Sequence, residues 1–134
     1  MSAEHRLTYV NASAIVKLAV AEPESVALRR YLSRRPALVS SALARTEVAR
    51  ALTPSGPDAV ARGELVLRRI QLLRVNDRVL SEAGRMTPAE LRSLDAIHLA
   101  SAHQLGPSVR QIVTYDERMA DAAEAGGWAV SSPR

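Results

Sequence analysis

Four polar residues stand on apolar helix faces or between a strand and a helix: Glu47 and Asp95 on the former, Asn11 and Asp116 at the latter. Glu47 projects from "ALARTEVARAL" between Leu43 and Ala51, inside the apolar arc that also holds Ala44 and Val48. A carboxylate on such a stripe is costly unless a cation or donor meets it. Paired with Arg45, Arg50 or another arginine, Glu47 would be an ordinary boundary residue. Asp95 is flanked by Leu94, Ala96 and Ile97 and shares a helical face with Leu91, Leu99 and Ala102. If Ser93 caps that helix, Asp95 in the first turn could simply favour the helix dipole. His98, three residues on, faces the same way, so it could touch Asp95 or serve as a hydrogen-bonded core histidine. Asp116 follows "IVTY" and Asn11 follows "LTYV", each directly before a helix, so each has helix capping available as its whole role.

Taken together, the four suggest more. Oxygen-bearing side chains converging on one cleft, with no cysteine and no pair of ligating histidines, describe a site for a hard cation, Mg²⁺ or Mn²⁺. Carboxylates gathered without a cation would repel one another. The chain is also basic: net charge +4, with Lys17 the only lysine among its 18 basic residues. Arginine forks onto phosphate oxygens, although an arginine-rich composition also follows from a GC-rich genome. An acidic cluster in such a chain suits a metal holding a phosphodiester. Metal ions activate water and neutralise the leaving oxygen, so no Ser or His nucleophile is needed.

The elements that must position these residues alternate between strand and helix. Leu7–Val10, "PALVSS", "IQLLRV", "QIVTY" and "WAVS" read as strands. Helices are expected over Ala12–Ala21, Ser25–Arg34, "ALARTEVARAL", Ala59–Arg69, Asp77–Arg85, "LDAIHLASAHQL" up to Gly106–Pro107, and "DERMADAAEA", closed by Gly126–Gly127. "TPSGPD" is the most loop-like segment, and "TPAEL" has capping-box spacing, with Thr87 as cap, Pro88 first in the helix and Glu90 reaching back. Alternation of this kind implies an α/β fold with a mainly parallel sheet covered by helices. Ligands then sit beyond the carboxyl ends of the strands, where strand order reverses, which singles out Asn11 and Asp116.

The bulk properties bound the rest. At 134 residues and 47% hydrophobic, with no Phe, one Trp and three Tyr, the chain can build one domain around a Leu/Val/Ala/Ile core. No cysteine means no disulfide, thiolate nucleophile or Cys-based zinc site. No apolar run reaches the roughly 18 residues of a membrane helix. "MSAEHRLTYV" lacks the layout of a signal peptide, so a cytoplasmic location away from membranes is expected.

In "YVNASAIVKL", "EPES", "LVSSALARTEVARAL", "LRSLDAIHLASAHQLG" and "IVTYDERMADAA" the chain resembles the PIN-domain ribonucleases, and within them the VapC toxins of bacterial toxin–antitoxin operons. The resemblance runs from Tyr9 to Pro133, and "LDAIHLA" followed by "TYDERM" is its most specific part. It implies a single domain over residues 1–134, a three-layer α/β/α sandwich, and a Mg²⁺- or Mn²⁺-dependent endoribonuclease. It further implies a cognate VapB-like antitoxin that wraps the toxin and fills the cleft, and a homodimer. Residue by residue, the family's acidic quartet falls on Asn11, Glu47, Asp95 and Asp116 as metal ligands and catalytic residues, with Ser13 and His98 behind them. Position 11 departs from the pattern, where the family has aspartate. An amide oxygen still coordinates a hard cation but brings no charge, so a weakened enzyme is expected, whether the change is engineered or natural. The alternative is a non-catalytic decoy that binds RNA or antitoxin without cutting. A receiver-like phosphoacceptor domain is excluded, because Lys17 lies in the first helix rather than after a later strand.

Overall fold

The structure, a computed structural model, describes residues 6–134. Its strands are β1 (Leu7–Val10), β2 (Leu38–Ser41), β3 (Gln71–Leu73), β4 (Val109–Val113) and β5 (Val130–Ser131). Its helices are α1 (Ala12–Ala19), α2 (Ser25–Ser33), α3 (Ala44–Leu52), α4 (Pro57–Leu67), α5 (Asp77–Gly84), α6 (Ser93–Leu105) and α7 (Glu117–Ala125). Every strand pairing is parallel, in the order β3-β2-β1-β4-β5. The chain therefore builds outward from β1 through β2 to β3, then returns to the far side of β1 for β4 and β5. That reversal opens a crevice at the carboxyl ends of β1 and β4.

Strand alternation sends side chains to two separate cores. Val10 and Val113 point into one, with Ala14, Ile15, Leu28, Val48 and Leu52 from α1, α2 and α3. Tyr9, Val39 and Ile112 point into the other, with Leu99, Ala102, Met119 and Ala123 from α6 and α7. Two helical layers on one central sheet make the expected α/β/α sandwich. Among the described residues no helix is long and apolar enough to cross a membrane.

Several boundaries differ from the sequence expectation for local reasons. Helix α1 stops at Ala19 rather than Ala21: Pro23 has no N–H to give the Ala19 carbonyl, which accepts from Arg62 Nε at 2.8 Å instead, and Val20 is already extended. Helix α4 starts at Pro57, which fills a first-turn position after Gly56 at φ 96°. β4 ends at Val113 rather than Tyr115, since the Tyr115 N–H leaves the ladder for the Ser13 hydroxyl. The expected helix at "TPAEL" does not form. Thr87–Pro88 is a cis peptide, Leu91 N–H closes a single turn onto the Pro88 carbonyl, and helix resumes at Ser93. Met86 and Leu91 instead pack against the second core, so tertiary burial overrides the local cap signal. Arg92, not Ser93, is the cap residue of α6, and it makes no side-chain cap bond.

One close approach fixes how α3 and α4 pack. A Cβ on Gly63 would lie 2.5 Å from Leu52 Cδ1 and 3.1 Å from Val48 Cγ1. Both neighbours are buried and cannot swing into solvent. Gly63→Ala should gain about 1 kcal/mol of helix propensity but lose about 2 kcal/mol to overpacking. The expected net result is a melting temperature lower by about 4 °C in calorimetry; an unchanged or higher value would show that α4 is free to shift.

Candidate active site

At the end of β1, Asn11 N–H bonds the Val113 carbonyl at 2.9 Å, continuing the β1–β4 ladder by one residue. Its side chain then turns to cap α1. Asn11 Oδ1 accepts from Ser13 N–H at 3.2 Å, Ser13 Oγ at 2.9 Å and Thr114 Oγ1 at 3.1 Å. The backbone donor at Ser13 fixes which amide atom faces it: only the oxygen can accept. Each hydroxyl also accepts in turn, Ser13 Oγ from Tyr115 N–H at 2.9 Å and Thr114 Oγ1 from Asp116 N–H at 3.1 Å. These two hydroxyls lace the ends of β1 and β4 together around one oxygen. Three donors occupy Oδ1, and the amide atom left over is Nδ2, a donor that cannot ligate a cation.

Asp116 caps α7, its Oδ1 accepting from Arg118 N–H at 2.9 Å and Met119 N–H at 3.3 Å. Its other oxygen is free of the backbone and receives Arg92 Nη2 at 3.2 Å. The Nε–H on the same guanidinium donates to Asp95 Oδ2 at 3.1 Å. Arg92 thus bridges two carboxylates on different elements. Asp95, chiefly, with Asp116 behind it, raises the guanidinium's proton affinity. Asp95 is buried, while the Arg92 side chain is 48% exposed.

Glu47 has neither of the arginine partners expected from its neighbours. Its Oε1 lies 2.6 Å from His98 Nε2, and His98 Nδ1 lies 2.6 Å from the Tyr9 hydroxyl. A carboxylate only accepts, so Nε2 carries a proton; in the neutral imidazole Nδ1 then accepts from the phenol. Burial pushes the Tyr9 hydroxyl's pKa far up, which keeps that phenol a donor. His98 is buried and bonds Glu47 rather than Asp95.

The expected residues therefore fall into linked pairs. Arg92 joins Asp95 to Asp116, Thr114 joins Asp116 to Asn11, and His98 holds Glu47 to the sheet through Tyr9. Among the described residues, no three His, Cys, Asp or Glu side chains lie close enough to hold a metal as they stand. The donor chemistry at Asp95 and Asp116 nevertheless fits a hard cation, since one carboxylate oxygen from each already meets a single positive group. Asn11, with its oxygen filled, fits less well. A groove of about 510 Å³ borders the site, lined by Leu91, Arg92, Asp95, Arg118 and Ala122 among others. Three contributors were not legible beforehand: Tyr9, Arg92 and Thr114. Arg92 left one signal, a cation three residues before Asp95 at the helix start, where the dipole disfavours it.

A family model for the PIN domain matches residues 8–125. Ribonuclease VapC46 of Mycobacterium tuberculosis is 57% identical over 125 residues, spanning 93% of this chain and 96% of that relative. Ribonuclease VapC47 of the same species is 34% identical over 132 residues, spanning 95% of this chain and 97% of that one. Among solved structures, VapC20 of M. tuberculosis, described as a sarcin–ricin loop cleaving toxin, matches with a TM-score of 0.75 at 17% identity, over 94% of this chain and 99% of its own. A chain from a toxin–antitoxin complex of Klebsiella pneumoniae matches with a TM-score of 0.68 at 18% identity, over 95% and 98%. At those identities the structural likeness speaks for the fold.

Proposed function

The chain belongs to the PIN-domain family, and from that premise we propose that it is the toxin of a type II toxin–antitoxin system: a Mg²⁺- or Mn²⁺-dependent endoribonuclease that hydrolyses RNA phosphodiester bonds, weakened by the asparagine at position 11. The observation that carries the reading is the convergence of Asp95 and Asp116 oxygens on one positive group, at the crevice between β1 and β4. The 57% identity to a VapC ribonuclease supports the activity.

Asp95, Asp116 and Glu47 would hold the cation. When bound, it supplies the Lewis acid that activates water and neutralises the leaving oxygen. The chain's own residues prepare for this. His98 orients the Glu47 carboxylate and is itself held by Tyr9, a buried arrangement that fixes one rotamer of the acid. Ser13 and Thr114 hold position 11 and the Asp116 backbone in register. Arg92 and Arg118 border the groove through which a phosphate backbone would run.

The identity to VapC ribonucleases supports a cognate VapB-like antitoxin as partner. We place its contact on α1, α2 and α3, with a cation presented to the acidic residues, and expect the toxin to act as a homodimer in the cytoplasm.

The test is cleavage of total RNA with and without divalent metal. Residual cleavage should require Mg²⁺ or Mn²⁺ and vanish in excess chelator, because the Ser13 and Thr114 hydroxyls in the site are both committed to Asn11 Oδ1. Undiminished cleavage in chelator would sink the metal mechanism. Silence from both this chain and its Asn11→Asp form, with metal present, would leave only the non-catalytic decoy.

A further inference from the structure

The residue that occupies the acidic pair is part of the chain itself. Arg92 presents one edge of its guanidinium, Nε and Nη2, to two different carboxylates, at 3.1 Å from Asp95 Oδ2 and 3.2 Å from Asp116 Oδ2. The second oxygen of Asp116 caps α7, so the oxygen held by Arg92 is the one that remains for a ligand. Helix α6 does nothing to favour a cation at this position. Arg92 is its N-cap residue, makes no cap bond, and lies where the helix dipole opposes positive charge. The two carboxylates are what hold it there.

That hold is reversible. The Arg92 side chain is half exposed and its pair with the 37%-exposed Asp116 is a weak surface pair, so the stronger part of the hold comes from the buried Asp95. A single positive charge leaves the pair of carboxylates short by one. A divalent cation at the same oxygens would balance both.

We propose that Arg92 is an exchangeable internal counter-cation: it holds Asp95 and Asp116 together without metal and is displaced when a divalent cation takes those oxygens. The proposal rests on the reading of these two residues as metal ligands and adds a competitor built into the chain. Metal affinity is then set partly by Arg92, and the released guanidinium stands at the mouth of the groove that Arg118 also lines. Reciprocity follows: whatever draws Arg92 away from the acids tightens metal binding.

Two measurements test this on the intact chain. In ¹⁵N NMR, titration with Mg²⁺, which is diamagnetic, should move the Arg92 Nε–H signal towards those of free arginines and speed its exchange with water. In Mn²⁺ binding by calorimetry, Arg92→Gln should bind about tenfold tighter than the unchanged chain. Arg118→Gln removes the same charge from the same groove without touching either acid through its side chain, and should shift affinity less than about threefold. The same order is expected in the Asn11→Asp background. An Arg92 signal that stays put while Mg²⁺ saturates, or equal Mn²⁺ affinity for the Arg92→Gln and unchanged chains, overturns the exchange and makes Arg92 a permanent clamp. Equal tightening by both substitutions also overturns it, since the effect is then net charge alone. Failure of all forms to bind Mn²⁺, with or without the Asn11→Asp change, removes the metal site itself and the exchange with it.

Discussion

Asn11→Asp is expected to raise RNA cleavage by at least tenfold, equivalent to about 1.4 kcal/mol of transition-state stabilisation. The structure explains why a near-isosteric change should act so strongly. Asn11 Oδ1 is filled by the Ser13 N–H and the Ser13 and Thr114 hydroxyls, and an aspartate oxygen would accept the same three donors without moving. The change therefore falls wholly on the other atom. An NH₂ that can only donate becomes a charged oxygen that can ligate. Mn²⁺ should bind more tightly and raise the melting temperature further than it does in the present chain. Without metal the added charge meets Asp95 and Asp116, although Arg92 already neutralises part of that field, so stability should be unchanged or slightly lower. Expression of the Asn11→Asp gene without antitoxin should slow or stop growth, while the present sequence is tolerated. An Asn11→Asp protein that binds no more Mn²⁺ and cuts no more RNA would reduce position 11 to a helix cap.

Strand–helix alternation alone was enough to place the crevice. It put Asn11 after β1 and Asp116 after β4, and the parallel order with β1 beside β4 brings those two ends together. Capping was legible too, at Asn11 and at Asp116, because an Asx residue between a strand and a helix has few other local roles. What the sequence hides is partnership over distance. Glu47 and His98 are 51 residues apart, and Tyr9 lies 89 residues from His98. Periodicity put His98 on the face of Asp95, yet in α6 it turns to the sheet, where a buried imidazole with two polar neighbours is better satisfied. Thr114 was read as the tail of a strand, and only the packed β1–β4 ends reveal that its hydroxyl serves Asn11 and Asp116. "TPAEL" failed for the converse reason. Its spacing promised a helix, but Met86 and Leu91 are needed by the second core. Local rules describe one segment at a time, whereas these outcomes are decided by what two segments bury jointly.

Asp95→Asn, placed in the Asn11→Asp background, should cut RNA cleavage by more than about a hundredfold, beyond the 10- to 100-fold typical of losing a residue that merely supports a ligand. The fold should be untouched. An asparagine fills the same volume at a buried first-turn position, and its oxygen can still accept the Arg92 Nε–H. From the sequence alone, removing one of several crowded carboxylates promises a more stable metal-free protein. The structure reduces that gain, because the repulsion between Asp95 and Asp116 is already offset by the guanidinium between them. Removing the Asp95 charge relieves repulsion but leaves Arg92 a neutral acceptor in place of a carboxylate, and with the guanidinium half in water that loss should be about 1 kcal/mol. The expected metal-free melting temperature is thus within about 3 °C of the parent, while the stabilisation contributed by Mn²⁺ largely disappears. The informative contrast is between those two readouts. Loss of cleavage with unchanged Mn²⁺ stabilisation would mean that Asp95 acts on substrate rather than metal. Full cleavage by the Asp95→Asn form would remove Asp95 from the active site altogether and leave Arg92 pairing with a purely structural acid.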